Sequence, residues 1–310
     1  MRFLITGGAG FIGSHIAEEL ARRETASQIR IIDDLSSGSE KNLAAIPAKV
    51  DFRKGDIRDI EALRSAMEGV DIVFHHAAIT SVPRSLKDPV LCNDINVGGT
   101  LNVLVAAREA GVNRVLFASS SAVYGENPIT PKSEKLEPDP ISPYATSKLA
   151  GEFYCRMFAR LHRLSTVSFR YFNVFGPRQD PNSQYAAVIP KFIDAIHGKR
   201  QPTVFGDGEQ TRDFVFVKDV VQANLRAAFQ EVEPGSVFNV GRGESLSLNQ
   251  LLELLRQVLK TKIEPKHAAQ APGDIKHSLA DVSLIKRALQ FEPRFSIEDG
   301  LRETLGIKTE

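Results

Sequence analysis

Strand-like and helix-like segments alternate along the first 172 residues, and this alternation constrains the fold of the chain more than any other feature. Short apolar runs at residues 3–6, 29–33 and 114–119 have the length and composition of buried strands. Residues 12–23 and 144–161 carry apolar side chains at helical spacing. Such alternation predicts βαβ units, and therefore a parallel sheet with helices on both faces.

The regular alternation of predicted strands and helices ends after residue 172. Residues 175–182 (FGPRQDPN) are rich in Pro, Gly and Asn and predict a loop, and shorter helices and strands follow. We therefore expect an α/β protein. A doubly wound parallel sheet would occupy residues 1–172 and about 214–240. A smaller C-terminal α/β unit, from about 173–213 and 241–310, would pack at the carboxyl edge of the sheet, where such folds bind ligands.

Composition excludes several other classes of function. The 310 residues carry a formal net charge of +1, which provides no basic field for nucleic acid. Cys92 and Cys155 have neither metal-ligand spacing nor a disulfide framework, so a reducing cytosol is expected. The chain opens on a strand rather than a signal peptide, and no apolar run approaches the ~18 residues needed to cross a bilayer. We expect a cytoplasmic protein with no metal, nucleic-acid or membrane partner.

The segment TGGAGFIGSH places Gly7, Gly10 and Gly13 between a predicted strand and a predicted helix. Glycines at this spacing allow a tight turn, close approach of backbone to a diphosphate and close helix–strand packing, as in Rossmann dinucleotide-binding folds. Asp33 lies 20 residues beyond Gly13 at the end of the next strand. Its carboxylate suits a ribose diol and would repel a 2′-phosphate, which favours NAD over NADP. The alternative is a glycine-rich turn that serves packing only.

The segment SPYATSK places Tyr144 and Lys148 on one face of a helix. A neighbouring ammonium should lower the pKa of the phenol from about 10, so that tyrosine could take a proton from a sugar hydroxyl. The run 119–121, three serines after a predicted strand, could bring a hydroxyl to the same place. Alone, the Tyr–Lys pair could be an ordinary surface pair. Its combination with the glycine loop and the serines indicates an acid–base device.

These motifs together resemble the short-chain dehydrogenase/reductase superfamily, and most closely its extended branch of nucleotide-sugar epimerases and dehydratases. The resemblance runs from TGGAGFIGSH through NVGGT, SSSAVYGE, SPYATSK, RYFNVFGPRQDP and GDGEQTRDFVFVKDV to GDIKHSLAD. It implies Tyr144 as base, Lys148 as its partner and Ser120 as catalytic serine, with Ser121 the competing assignment.

The resemblance also implies two sets of binding residues. The cofactor set, for NAD, comprises Gly7, Gly10, Phe11, Ile12, Gly13, Asp33, Ser37, Asp56, Ile57, Ala77, Ala78, Asn96, Tyr144, Lys148 and Tyr171. The substrate set, for a UDP-sugar, comprises Ser81, Ser121, Asn173, Ala187, Val188, Thr203, Phe205, Arg212, Asp274 and Ser278.

The residues that follow Ser120 favour one reaction within this branch. Family members that eliminate water or decarboxylate carry acids there, whereas this chain has Ser121, Ala122 and Val123. What the resemblance then implies is a 4-epimerase that acts through a transient 4-keto sugar. A tyrosine at the position of Ser278 restricts family members to the plain hexose. Serine leaves room for an N-acetyl group, unless it is merely a solvent-facing loop residue.

We therefore expect interconversion of UDP-N-acetylglucosamine (UDP-GlcNAc) with UDP-GalNAc, and of UDP-Glc with UDP-Gal. Ala271 stands where relatives often have a diphosphate-binding arginine, so Arg212, or Lys266 or Lys276, would carry more of that charge. The alternatives are a nucleotide-sugar 4-ketoreductase, another NAD-dependent nucleotide-sugar oxidoreductase and a non-catalytic nucleotide sensor.

Relatives pair helices like those at 97–110 and 144–161 into a four-helix bundle, so a homodimer is expected. Its apolar surface would come from Leu101, Leu104, Val105, Phe153, Met157 and Phe158.

Overall fold

The protein is built on a parallel sheet of seven strands. The computed structural model describes residues 1–44, 46, 50–180, 188–269 and 276–307. The strand order is β3-β2-β1-β4-β5-β6-β11, and every neighbouring pair is parallel. This confirms the predicted fold class. The strands are β1 (Arg2–Thr6), β2 (Gln28–Asp33), β3 (Val50–Lys54), β4 (Ile72–His75), β5 (Arg114–Ser120), β6 (Ser165–Tyr171) and β11 (Ser236–Val240).

Helices cover both faces of this sheet, as the near-continuous apolar runs of its strands require. In β1, Phe3 and Ile5 pack into one core cluster and Leu4 into another on the opposite face. The first face holds α1 (Phe11–Ala21) and α8 (Val217–Phe229). The second holds α2 (Ile60–Met67), α4 (Pro89–Asn93), α5 (Thr100–Glu109) and α6 (Pro143–His162), and the short α3 (Val82–Lys87) packs against α6.

The helix predicted at residues 97–110 begins earlier than expected. It is continuous with α4 through a π-helical turn at Asp94–Gly99. In the described part of the chain, residues 89–109 form the one helical stretch that could span a bilayer by length and composition. Of its most apolar window, 44% is buried inside the protein. Cys92, Val103 and Leu104 belong to the core beneath it, so this is a core helix of the sheet.

The second unit has a core of its own, formed by α7 (Val188–His197), α9 (Leu248–Leu259), α11 (Ile297–Thr304) and nearby strands. Three two-stranded sheets join β10 to β7, β12 to β9 and β13 to β8. Ser247 caps α9 in a capping box with Gln250. The remaining elements are β7 (Asn173–Phe175), β8 (Thr203–Phe205), β9 (Thr211–Arg212), β10 (Phe214–Phe216), β12 (Leu246–Ser247), β13 (Lys266–Ala268) and α10 (Ser283–Leu289).

Candidate active site

A cavity of about 1660 Å³ lies between the carboxyl ends of the sheet strands and the second unit. Pockets for a single drug-sized ligand occupy about 300–1,000 Å³, so this one has room for two nucleotide-sized molecules. Its wall includes the ends of β1, β2, β4, β5 and β6 on one side and elements of the second unit on the other. The cavity therefore lies where parallel α/β sheets bind ligands.

The glycine loop between β1 and α1 forms one end of the cavity. Gly7 has φ +70°, and a Cβ there would lie 2.6 Å from Ala77 N, while a Cβ on Gly13 would lie 2.4 Å from Gly7 O. Gly10, the residue just before α1, would place a Cβ 3.1 Å from Gly7 O and otherwise in open space. The first turn of α1 has no side-chain cap and no acidic residue, so its N–H groups are available to an anion.

Asp33 is fixed at the end of β2, beside this loop. Its Oδ2 accepts a hydrogen bond from Ala9 N at 2.9 Å, and its Oδ1 accepts one from Leu35 N at 2.8 Å. Burial raises the pKa of the carboxyl, and these two hydrogen bonds oppose that shift. Across the same end, the Arg58 guanidinium hydrogen-bonds Asp56 and holds the pKa of that carboxyl below its usual value. Open backbone at Gly10 and a fixed acid at Asp33 fit the diphosphate and the ribose diol of NAD.

Tyr144 stands in the first turn of α6. Ser142 caps this helix by accepting a hydrogen bond from Ala145 N at 3.2 Å, and Pro143 occupies its first turn. Burial raises the pKa of the Tyr144 phenol, and a hydrogen bond from Ser120 lowers it by less. The prediction that a neighbouring lysine lowers the pKa of the Tyr144 phenol was therefore wrong: the net effect of the surrounding protein groups is to raise that pKa.

Lys148 lies one turn further along the same face of α6 and is 4% exposed. Its Nζ donates to Ala118 O at 2.8 Å and lies 5.1 Å from the Phe117 ring centroid, against 6.0 Å from that of Tyr144. Burial lowers the pKa of the ammonium to about 8. The lysine is thus held by β5, with its charge near the phenol rather than bonded to it.

The three serines at the end of β5 point in different directions. Ser119 is part of the cavity wall, but its hydroxyl donates to the buried carboxylate of Glu152. Ser120 lines the cavity and interacts with Tyr144. Ser121 begins a 3₁₀ turn and is not among the described residues that line the cavity. Geometry therefore favours Ser120 over Ser121 as the serine partner of Tyr144.

Most of the other predicted residues lie on the cavity wall. These are Gly7, Gly10, Phe11, Ile12, Gly13, Asp33, Ser37, Asp56, Ile57, Ala77, Ala78, Ser81, Tyr171, Asn173, Val188, Thr203, Phe205 and Arg212. Ala187 and Asp274, with Ala271, lie outside the described residues.

Asn96 and Ser278 stand behind or beside the wall instead. Asn96 is 1% exposed; its amide bonds both backbone groups of Ile79, at 2.8 and 2.9 Å, and Ser147 Oγ at 2.9 Å. It supports the Ala77–Ala78 loop through Ile79 rather than touching the cavity. Ser278 is half-buried, and its backbone N–H bonds Thr211 O at 3.1 Å.

Sequence reasoning missed several polar residues of the wall. His76 Nε2 lies 3.2 Å from Tyr171 OH, and burial lowers the pKa of the imidazole to about 3. Arg84 and Arg178 also line the cavity. Arg178 forms an ion pair with Glu18 of α1, which joins the GPRQ loop to the helix behind the glycine loop. A polar residue directly after a predicted strand was the available signal for His76, whereas nothing local distinguished the two arginines.

Comparisons with known proteins agree with this geometry. The family model "NAD dependent epimerase/dehydratase family" matches residues 3–241. UDP-glucose 4-epimerase of Mycolicibacterium smegmatis is 38% identical over 98% of this chain and 97% of its own length.

Two solved structures are similar throughout. UDP-N-acetylglucosamine 4-epimerase from Methanobrevibacter ruminantium, in complex with UDP-N-acetylmuramic acid, superposes with a TM-score of 0.94 at 43% identity and covers 98% of this chain and 97% of its own. UDP-glucose 4-epimerase of Thermus thermophilus, in complex with NAD, gives 0.89 at 35% identity, with 99% and 98% covered.

Proposed function

This chain belongs to the NAD-dependent epimerase/dehydratase family, and from that premise we propose that it is a UDP-sugar 4-epimerase. Its substrates would be UDP-GlcNAc and UDP-GalNAc, and also UDP-Glc and UDP-Gal. The observation that carries the proposal is the meeting of Ser120, Tyr144 and Lys148 with the glycine loop in one cavity large enough for two nucleotides. The similarity to epimerases of both sugar types supports the same substrate range.

The chain's own residues would hold NAD at the glycine-loop end. The open face of Gly10 and the N–H groups of α1 suit its diphosphate, and Asp33 suits its adenosine ribose. When bound, NAD supplies a hydride acceptor that can also return the hydride, so no net oxidation results.

Tyr144 would take the proton of the sugar 4-hydroxyl as C4 is oxidised. Ser120 would share this proton, because its hydroxyl lies near enough to the phenol to lower the pKa of Tyr144 and so would stabilise the phenolate. Lys148 would add a positive charge near the phenolate without leaving its bond to Ala118. After the 4-keto sugar has rotated in the cavity, Tyr144 would return the proton to the oxygen at C4, while C4 regains its hydride on the opposite face.

The acids of the cavity wall support epimerisation over elimination or decarboxylation. Among the described residues, those acids are Asp33, Asp34, Asp56, Asp180 and Asp194, and none lies on β5 or α6. Ala122 and Val123, which follow the serine run, have no ionisable side chain. Among the described residues, no carboxylate lies beside Ser120 and Tyr144, so elimination and decarboxylation would lack an acidic residue there.

The second unit would bind the nucleotide of the substrate. Phe205 is 48% exposed on the cavity wall and offers a ring on which a base can stack. Thr203 and Arg212 line the same region, and Lys266 pairs in register with Thr203. We assign Asn173 and Val188 to this site from their place on the wall, and Ala187, Asp274 and Ser121 from the resemblance alone. Lys266 would supply part of the charge missing at Ala271.

Ser278 would set the tolerance for the N-acetyl group. It follows His277, which pairs with Thr211 next to Arg212, so it stands at the edge of the substrate region.

Residues 1–172 with about 214–240 would form the NAD-binding domain. Residues of about 173–213 with 241–310 would form the nucleotide-sugar-binding domain.

The decisive experiment is proton NMR of the purified protein with UDP-GlcNAc, and separately with UDP-Glc, without added cofactor. New anomeric signals of UDP-GalNAc and UDP-Gal are expected, and Tyr144→Phe should abolish them. Ser278→Tyr should remove only the N-acetylated activity. If conversion requires NADH or NADPH in stoichiometric amounts, the protein is a nucleotide-sugar oxidoreductase instead.

A further inference from the structure

An arginine without an acidic partner lies on the cavity wall at α3. Arg84 is half-buried and lines the cavity, yet its guanidinium makes no ion pair or hydrogen bond with any described residue. Two other arginines of the same wall are paired: Arg178 with Glu18, and Arg200 with Asp194 at 2.5 Å. An arginine that is partly removed from water usually has an anionic partner, because an uncompensated buried charge is costly.

Local bonds place Arg84 at the end of the cavity that holds Tyr144. Ser81 caps α3 and accepts a hydrogen bond from Arg84 N at 3.1 Å, and both residues line the cavity. Ser85 Oγ accepts a hydrogen bond from Tyr144 N at 3.1 Å, which fastens α3 to the start of α6. The guanidinium therefore belongs to the sugar end, whereas Phe205 and Arg212 lie on the wall formed by the second unit.

The charges of the wall make this arginine unusual. The described acids of the cavity follow β2 and β3 or belong to the loop and helix that follow β7, and none lies on α3 or α6. At the sugar end, no acid of the described cavity wall therefore compensates the positive charge of Arg84. A guanidinium binds a carboxylate through two parallel hydrogen bonds, which makes a carboxylate its best-matched ligand.

We propose that Arg84 binds a carboxylate carried by the sugar, so that the site accepts acidic UDP-sugars as well as neutral ones. This inference rests on the proposed function, since it requires a UDP-sugar in the cavity. The carboxylate would be either that of a hexuronate, at C6, or that of a lactyl ether, at C3. Both present the same planar anion to the guanidinium.

The test is isothermal titration of the full chain with UDP, UDP-GlcNAc, UDP-glucuronate and UDP-N-acetylmuramate. Arg84→Gln should weaken binding of at least one acidic sugar roughly tenfold or more, as expected for loss of a charge-assisted hydrogen bond, and leave UDP and UDP-GlcNAc within about twofold. Which acidic sugar responds identifies the source of the carboxylate. Arg84→Lys should restore part of the affinity. Arg200→Gln is the matched control and should not discriminate between acidic and neutral sugars.

Two outcomes would overturn the inference. Equal weakening of all four ligands, UDP included, would assign Arg84 to the diphosphate, and no change in any of them would show that it binds no part of the ligand. Isothermal titration reports binding whether or not the sugar is converted. Failure of the epimerase proposal is therefore seen separately: UDP-GlcNAc would bind but would not be converted. If no UDP compound binds, both proposals fail.

Discussion

The Glu152 carboxylate accepts two parallel hydrogen bonds from the Arg170 guanidinium, at 2.9 Å from Nε and 2.8 Å from Nη2, and the side chains are 1% and 4% exposed. Glu152 lies four residues after Lys148 and eight after Tyr144, on the same face of α6. It also accepts a hydrogen bond from Ser119. This pair fastens the helix that carries the acid–base residues to β5 and β6.

Breaking this pair should destabilise the protein strongly. Glu152→Gln leaves a buried guanidinium without its counter-charge, which typically costs about 3–5 kcal/mol. Urea unfolding measures the change. The matched control is Glu298→Gln, because Glu298 pairs with Arg302 on the surface of α11 and such pairs contribute about 0–1 kcal/mol. Equal losses for the two variants would contradict the structural role of the Glu152 pair.

Ser120→Ala should move the rate profile to higher pH. The Ser120 hydrogen bond lowers the pKa of the Tyr144 phenol, so its removal raises that pKa. Because the phenolate is the proposed base, the rate should rise with pH, and this rising limb should shift upward in the variant. The measurement is kcat against pH, followed by NMR. Ser121→Ala is the control; a shift there and none in Ser120→Ala would reverse the serine assignment.

The two glycines at the start of α1 should respond differently to alanine. A Cβ on Gly13 would lie 2.4 Å from Gly7 O and 2.9 Å from Gly8 Cα, so Gly13→Ala must displace the loop and should lower Tm. A Cβ on Gly10 would meet only Gly7 O, at 3.1 Å, so Gly10→Ala should keep Tm within a few degrees and lose NAD, because its methyl group occupies the diphosphate position. Thermal unfolding and NAD release on denaturation measure both effects. Full NAD retention in folded Gly10→Ala would contradict the proposed cradle.

Acid should destabilise the fold through buried histidines. His75 lies between Thr6 and Thr100 hydroxyls, and burial lowers its pKa well below the usual value; that of His76 falls to about 3. The unfolded chain therefore binds more protons below about pH 6.5, and stability falls by up to about 1.4 kcal/mol per pH unit for each histidine.

The contribution of His76 can be isolated by comparing variants. Asp213 acts in the opposite sense, because burial raises its pKa to about 6 and the folded state gains stability as pH falls through that value. His76→Leu should therefore reduce the loss of unfolding free energy between about pH 6.5 and pH 5 relative to the parent chain. His197→Gln, at an exposed position, should leave that loss unchanged. If the unfolding free energy of His76→Leu depends on pH as that of the parent chain does, the lowered pKa of His76 is contradicted.

An exposed apolar stripe on α6 should mediate the proposed homodimer. Phe153, Met157 and Leu161 recur every four residues and are 54%, 36% and 70% exposed. Leu104 and Phe158, which were expected in the same surface, are instead buried against the sheet. Phe153→Glu with Leu161→Glu should halve the mass measured by light scattering, whereas Ile129→Glu, at an equally exposed residue, should not. A parent chain that is already monomeric would refute the proposal.

Local sequence determined the framework of this protein. The spacing of its apolar residues specifies strands and helices. Each spacing places apolar side chains on the face, or faces, that a strand or a helix buries. The sequence identified Gly7 and Gly13 because a close turn between a strand and a helix admits only glycine at such positions. It identified Asp33 from its place at the end of the next strand. The parallel direction of the strands then followed from the rules of βαβ connection.

Only the tertiary structure decided which polar groups face the cavity and which lie behind it. It separated Ser120 from its two serine neighbours, moved Asn96 behind the wall and left Arg84 without an acidic partner among the described residues at the sugar end. It also showed that, at the Tyr144 phenol, the effect of burial on the pKa outweighs that of the Ser120 hydrogen bond. The physical reason is that burial and ion pairing depend on side chains far apart in sequence, such as Ser119, Glu152 and Arg170, whose proximity no local pattern contains.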